Sequence, residues 1–184
     1  EANSTTGTKN GCMKWYVFND KEGNATVNVI LDHNTTAGVA YNSTGNNSEM
    51  KEVADALKTD TKDWKNTARL ITANEVAKIT KHPTFDATQL GQDWFYLDSN
   101  NQTQTANASN KSKYAWLFDY IAECTNYGCN KADSSNWGYW TSTPKKDYST
   151  IARIVNSYGQ LSSNYVTYPG HGVRPVITIS KSNI

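Results

Sequence analysis

The sequence predicts an α+β domain in which two helices pack on an antiparallel sheet. Three observations point there: an opening β-hairpin, two amphipathic segments behind it, and a final third composed almost wholly of strands. In the hairpin, 13–18 and 26–31 are runs of aromatic and β-branched residues separated by the turn cluster Asp20-Lys21-Glu22-Gly23-Asn24. The first helix is expected from a cap at Asn47 or Ser48 to about Thr59, with Met50, Val53, Ala54 and Leu57 on one face. The second opens on Thr72-Ala73-Asn74-Glu75, a capping box, runs to about Thr80 with Val76, Ala77 and Ile79 inward, and is stopped by His82-Pro83. Residues 98–113 are polar almost throughout and read as a long exposed loop, after which 114–118 re-enter the core as a short helical turn. Strands follow at 138–142, 150–155, 160–166 and 173–179, with Tyr158-Gly159 as a turn.

One core suffices for 184 residues. Residues 1–11 read as a flexible leader and 12–184 as a single domain, with 6 Trp and 11 Tyr supplying much of the apolar bulk under a polar surface of mean hydropathy -0.70. A net charge of +1 with scattered basic residues excludes the Lys/Arg clustering that a nucleic acid demands. No apolar run approaches the roughly 18 residues of a membrane span, so no membrane contact is expected of the domain itself. The chain opens on Glu1 rather than Met, which puts any targeting or anchoring segment upstream of it.

Cys124 and Cys129 bracket a turn-forming segment and are expected to form a local disulfide worth about 2 kcal/mol; three reduced thiols are the alternative, and Cys12 has no assigned partner. One close Cys pair without further ligands does not make a zinc site. His33, His82 and His171 each neighbour turn-forming residues and read as surface histidines. Asp60, Asp63, Asp86, Asp93 and Asp98 are dispersed, and neither a phosphate loop nor a nucleophile elbow occurs. No metal, cofactor or catalytic residue is assigned.

Positive signal concentrates in 136–171, where Tyr and Asn alternate with Ser, Gly and small residues. Adaptable paratopes use this vocabulary, because Tyr offers a large amphipathic area for two side-chain torsions. The candidate ligand-binding set is Trp137, Tyr148, Tyr158, Tyr165, Tyr168 and His171, all expected to be exposed, with Lys145 and Lys146 on the rim. Glycan-acceptor tripeptides at Asn3, Asn24, Asn34, Asn42, Asn46, Asn101, Asn107 and Asn110 read as a by-product of an Asn- and Thr-rich surface.

Four segments carry a family resemblance: Cys12-Met13-Lys14-Trp15-Tyr16-Val17, Ala68-Arg69-Leu70-Ile71-Thr72, Trp137-Gly138-Tyr139-Trp140-Thr141-Ser142-Thr143-Pro144 and Gly172-Val173-Arg174-Pro175-Val176-Ile177-Thr178-Ile179. Over roughly 12–180 the chain resembles bacterial surface and pilin-associated domains of the C-type-lectin-like fold. It is similar in turn to the formylglycine-generating-enzyme-like branch and to the variable proteins of diversity-generating retroelements. The resemblance implies that the first and last strands pair, that Trp140 and 173–179 are core, and that Arg174 is structural. Pro144 lies between Thr143 and Lys145, and Trp140 precedes Thr141-Ser142, so the calcium-binding motifs of sugar-binding relatives are missing. No Cys follows Cys129, which removes the oxidase pair of the enzymatic branch.

The expectation is therefore a non-enzymatic, calcium-independent adhesion or recognition domain. It would be secreted and displayed on a bacterial cell surface or pilus, with a protein or glycan as partner. Two alternatives stand beside it. One is a structural pilin-like subunit packing against other pilus subunits; the other is a cysteine-dependent enzyme of the formylglycine-generating type, with Cys124 and His171 as its conceivable nucleophile and base.

Overall fold

The computed structural model describes residues 14–82, 85, 95–97, 114–118 and 138–184. Its strands are β1 (Trp15–Phe18), β2 (Thr26–Leu31), β3 (Thr36–Val39), β4 (Phe95–Tyr96), β5 (Gly138–Pro144), β6 (Ile151–Asn156), β7 (Gln160–Tyr165), β8 (His171–Val173) and β9 (Val176–Ser180). The helices are α1 (Glu52–Asp60), α2 (Ala73–Ile79) and the single turn α3 (Ala115–Phe118), with a closing 3-10 turn at Lys181–Asn183. The result is an α+β fold dominated by sheet. No described helix is long and apolar enough to cross a membrane.

The hairpin forms as expected, with Trp15 opposite Leu31 and Phe18 opposite Asn28. The last strand does not join β1. It pairs antiparallel with β2, giving the order β1-β2-β9 and correcting the expected pairing of first and last strands. Burial explains the choice: Val27, Val29, Ile30 and Leu31 are all buried, so β2 suits the centre of a sheet, whereas Val17 on β1 is 48% exposed and suits an edge.

The larger sheet has the order β3-β8-β5-β6-β7-β4. It is mixed rather than wholly antiparallel, because β8 runs parallel to β5 through Tyr139 and Gly172. The single strand expected over 173–179 is in fact two, belonging to different sheets and divided at Arg174-Pro175. Proline supplies no amide to a ladder, and the chain switches sheets there. The short strand β3, which sequence patterning does not mark, pairs with β8.

Alternation along β5 and β6 gives the larger sheet two buried faces. Tyr139, Val155 and Leu161 face a core shared with Phe18, Ile30, Val176, Ala73 and Val76 of α2, and Leu117 of α3. Trp140, Ala152 and Ile154 face a second core with Tyr41, Leu70, Val166, Val173 and Val53 of α1. Trp140 is fully buried, and its indole N–H donates to the Val39 carbonyl at 2.7 Å, tying β5 to β3.

At α2 the capping box is complete. Thr72 Oγ1 accepts from the Glu75 amide at 3.1 Å, and Glu75 accepts in return from the Thr72 amide at 2.9 Å. Arg69 completes a two-pronged pair with the same carboxylate, at 2.8 and 2.6 Å. α1 departs from expectation: it begins at Glu52 after Lys51, without a side-chain cap, and Asn47 is used elsewhere. The expected 98–113 loop and all three cysteines, Cys12, Cys124 and Cys129, lie outside the described residues.

Arg174 joins these parts. Fully buried, it donates to the carbonyls of Leu31 (2.6 Å), Asp32 (3.0 Å), Trp116 (2.6 Å) and Leu117 (2.8 Å), while its guanidinium lies 5.1 Å from the Tyr139 ring centre. Tyr139 Oη also donates to Leu117 at 2.6 Å. A lysine cannot reproduce a planar fork that meets two separate chain segments. Arg174→Lys is expected to lower the free energy of unfolding by roughly 3 kcal/mol or more, through unpaired buried carbonyls and a poorly solvated charge. Urea denaturation at pH 7 measures this, and an unmoved midpoint would show the four contacts to be dispensable.

Candidate functional site

The hairpin of β6 and β7 separates the candidate residues into two groups. Ile151 pairs with Tyr165 at one end and Val155 with Leu161 at the other, so the two ends stand about 13 Å apart. Tyr148, Tyr165 and Tyr168 lie at the first end, together with Lys145 and Lys146. Tyr158 lies at the second, in the β6–β7 turn, where Asn156 Oδ1 accepts from the Tyr158 and Gln160 amides, both at 3.0 Å. Trp137 is outside the described residues. The expected set is thus contiguous in sequence but not in space.

At the first end three loops meet: 41–51, 144–150 and 165–170. The backbone amide of Asn42 donates to Val166, that of Val166 to Thr150, and that of Asn47 to Ser149. Asn47 then grips the 144–150 turn from beneath. Its Nδ2 lies 3.1, 2.8 and 2.6 Å from the carbonyl oxygens of Lys145, Tyr148 and Ile151. Asp147 takes a φ of 65° within the turn, a left-handed conformation that Asp tolerates better than most residues. Asn42 orders its own loop by accepting at Oδ1 from Thr44 and donating to the Glu49 carbonyl at 3.1 Å.

The third loop is held by side chains. Asn164 Oδ1 accepts from the Tyr165 amide at 2.7 Å, and its Nδ2 sits 2.9 Å from His171 Nε2. The Tyr168 ring stands edge-on to His171 at 5.2 Å, and His171 stands edge-on to Trp140 at 4.9 Å, so an aromatic file runs from the surface into the core. A Cβ on Gly170 would come within 2.4 Å of the Tyr168 ring, which explains the glycine there.

Above these supports the tyrosines are open: Tyr165 is 63% exposed, Tyr148 50% and Tyr168 37%. Lys145 Nζ sits 4.5 Å over the Tyr148 ring, and Lys146 is exposed. Ser43, Thr44, Asn46, Ser149, Thr150 and Thr167 fill the exposed surface between them. This end presents aromatic faces in a field of hydroxyls and amides.

Two histidine expectations are corrected. His171 is only 2% exposed, so it supports the tyrosine loop instead of contacting a ligand; β8 is drawn between β3 and β5 and takes the side chain inside with it. His33 is equally buried. The acceptor tripeptides at Asn34 and Asn42 are buried too, at 7% and 3%, whereas those at Asn24 and Asn46 are on the surface. Sequence reading missed Asn42, Asn47 and Asn164 as organisers of the site. Their signal was the density of Asn beside Ser and Tyr, which does not say which amides turn inward.

The family model for a domain of unknown function, DUF6273, matches residues 13–181. The chain belongs to the DUF6273 family. No curated protein and no solved structure matches the chain. The DUF6273 match spans β1 to β9, so the tyrosine end, Arg174 and both cores all fall within the family's domain.

Burial lowers the pKa of His171 from 6.5 to about 4. Burial does the same to His33, also to about 4, with Asp32 opposing and Arg174 assisting. Both imidazoles are therefore held neutral in the fold. Between pH 6.5 and 4 the unfolded chain takes up protons that the folded chain refuses, so stability is full above that window and falls through it. The loss is on the order of 3 kcal/mol per histidine. Urea midpoints taken from pH 7 to 4.5 should fall accordingly, and His171→Gln should lessen the slope; a flat profile in the wild type would contradict neutral burial.

Proposed function

We propose that this chain is a non-enzymatic recognition domain of the C-type-lectin-like kind, displayed outside a bacterial cell on its surface or on a pilus. It binds a protein or glycan without calcium through the end that carries Tyr148, Tyr165 and Tyr168, with Lys145 and Lys146 at the rim. One observation carries the reading: three open tyrosines stand on loops whose backbones are fixed from below by Asn42, Asn47 and Asn164. Preorganised aromatic faces lose little entropy on binding, and the surrounding hydroxyls and amides can complete hydrogen bonds to a polar partner.

The buried His171 is engaged with Asn164, Tyr168 and Trp140 beneath the exposed tyrosines, as a support for the loop that carries them. Among the described residues no three His, Cys, Asp or Glu side chains gather as metal ligands would.

The triple variant Tyr148→Ala/Tyr165→Ala/Tyr168→Ala is the test. Labelled protein would be applied to arrays of oligosaccharides and of extracellular-matrix proteins, with and without EDTA. The wild type is expected to bind a discrete subset equally in both conditions. Loss of three central aromatic contacts should weaken that binding by about 100-fold or more while leaving the thermal midpoint within a few degrees. Undiminished binding by the triple variant would move the site elsewhere, and EDTA sensitivity would defeat the metal-free reading. Concentration-dependent assembly that buries these tyrosines would favour the pilin-like alternative.

A further inference from the structure

α2 ends at Ile79. There a cavity of about 570 Å³ is lined by Asn74, Ala77, Lys78, Lys81, His82 and Phe85. Its volume is in the range of small-molecule sites. The aromatic side is built up in layers: His82 packs on Phe95 at 4.0 Å, Phe85 meets Phe95 edge-on at 5.0 Å, and the buried Arg153 lies 5.5 Å from the Phe85 ring centre. Lys78 in the last turn of α2 and Lys81 just beyond its C-cap both line the cavity. Among the described residues, neither enters an ion pair and the lining includes no acidic side chain.

The backbone adds an independent observation. The helix ends in a Schellman turn: the His82 amide donates to Ala77 at 2.8 Å and the Lys81 amide to Lys78 at 3.3 Å. The residue at the hinge of such a turn is left-handed and is usually glycine. Here it is Lys81, with a φ of 61°. A lysine in that conformation costs stability that glycine would not, and it puts a cationic side chain at the cavity.

We propose that this cavity binds a small aryl carboxylate, its ring against the Phe85 side and its carboxylate between Lys78 and Lys81. The aromatic and alanine lining suits a flat apolar body, and two ammonium groups without an ion-pair partner among the described residues select an anionic head over a neutral one. Strain at Lys81 is the cost of placing the second cation.

Phenylacetate and its neutral counterpart phenylacetamide test this by protein-observed NMR titration of the whole chain. Phenylacetate is expected to shift the amides of residues 74–82 and 85 saturably, and phenylacetamide to bind at least about threefold more weakly. Lys78→Ala and Lys81→Gly should each weaken phenylacetate by about threefold, the scale of one solvent-facing ion pair. Lys81→Gly should also raise the thermal midpoint by about 2–4 °C, because glycine relieves the left-handed strain. That pairing of lost affinity with gained stability is not expected of a lysine that serves only the fold. Absence of a saturable shift, equal affinity for the two probes, or wild-type affinity in both lysine variants would overturn the proposal.

Discussion

A single guanidinium ties the end of β2 and the α3 turn to the crossing between the two sheets. Arg174 sits where the chain leaves the six-stranded sheet for the three-stranded one, and its four hydrogen bonds go to carbonyls of two distant segments, Leu31-Asp32 and Trp116-Leu117. A buried cation is costly unless oriented dipoles surround it, so the position of each of those segments is constrained by the charge they solvate. Pro175 beside it removes an amide donor at the crossing point. The closing strand then reaches β2, and the core between the sheets can fill with Ile30, Val176, Tyr139 and Leu117.

That junction has consequences at the tyrosine end. β8, which leads directly into Arg174, lies between β3 and β5 and carries His171 inside beneath Tyr168. The route runs from a charge in the core, through a three-residue strand, to the support of an exposed aromatic loop. α1 and Trp140 close the other face of the same sheet, so β5 and β6 are packed from both sides.

Much of the architecture was legible in the sequence where local chemistry decides it. The capping box at Thr72, the hairpin turn at 20–24 and the Tyr158-Gly159 turn depend on neighbours within a few residues, and the structure follows them. Long-range competition was not legible. Whether β9 chooses β1 or β2 depends on comparative burial, and whether Asn47 caps a helix or holds a turn 98 residues away depends on the fold that brings Lys145 to it. The site was readable as composition but not as geometry: the Tyr-rich stretch includes three residues that cluster and one, Tyr158, that the length of a hairpin carries away. His171 looked like surface because its neighbours are turn formers, yet a strand of only three residues was enough to bury it.

The contacts from Asn47 to the 144–150 turn all go to main-chain carbonyl oxygens, and so does the hydrogen bond from its own amide to Ser149. Such a clasp is indifferent to what the turn's side chains are. Residues at 145, 146 and 148 can be exchanged without loosening the attachment, so the turn works as an interchangeable mount, and new contact chemistry can be installed there at little risk to folding.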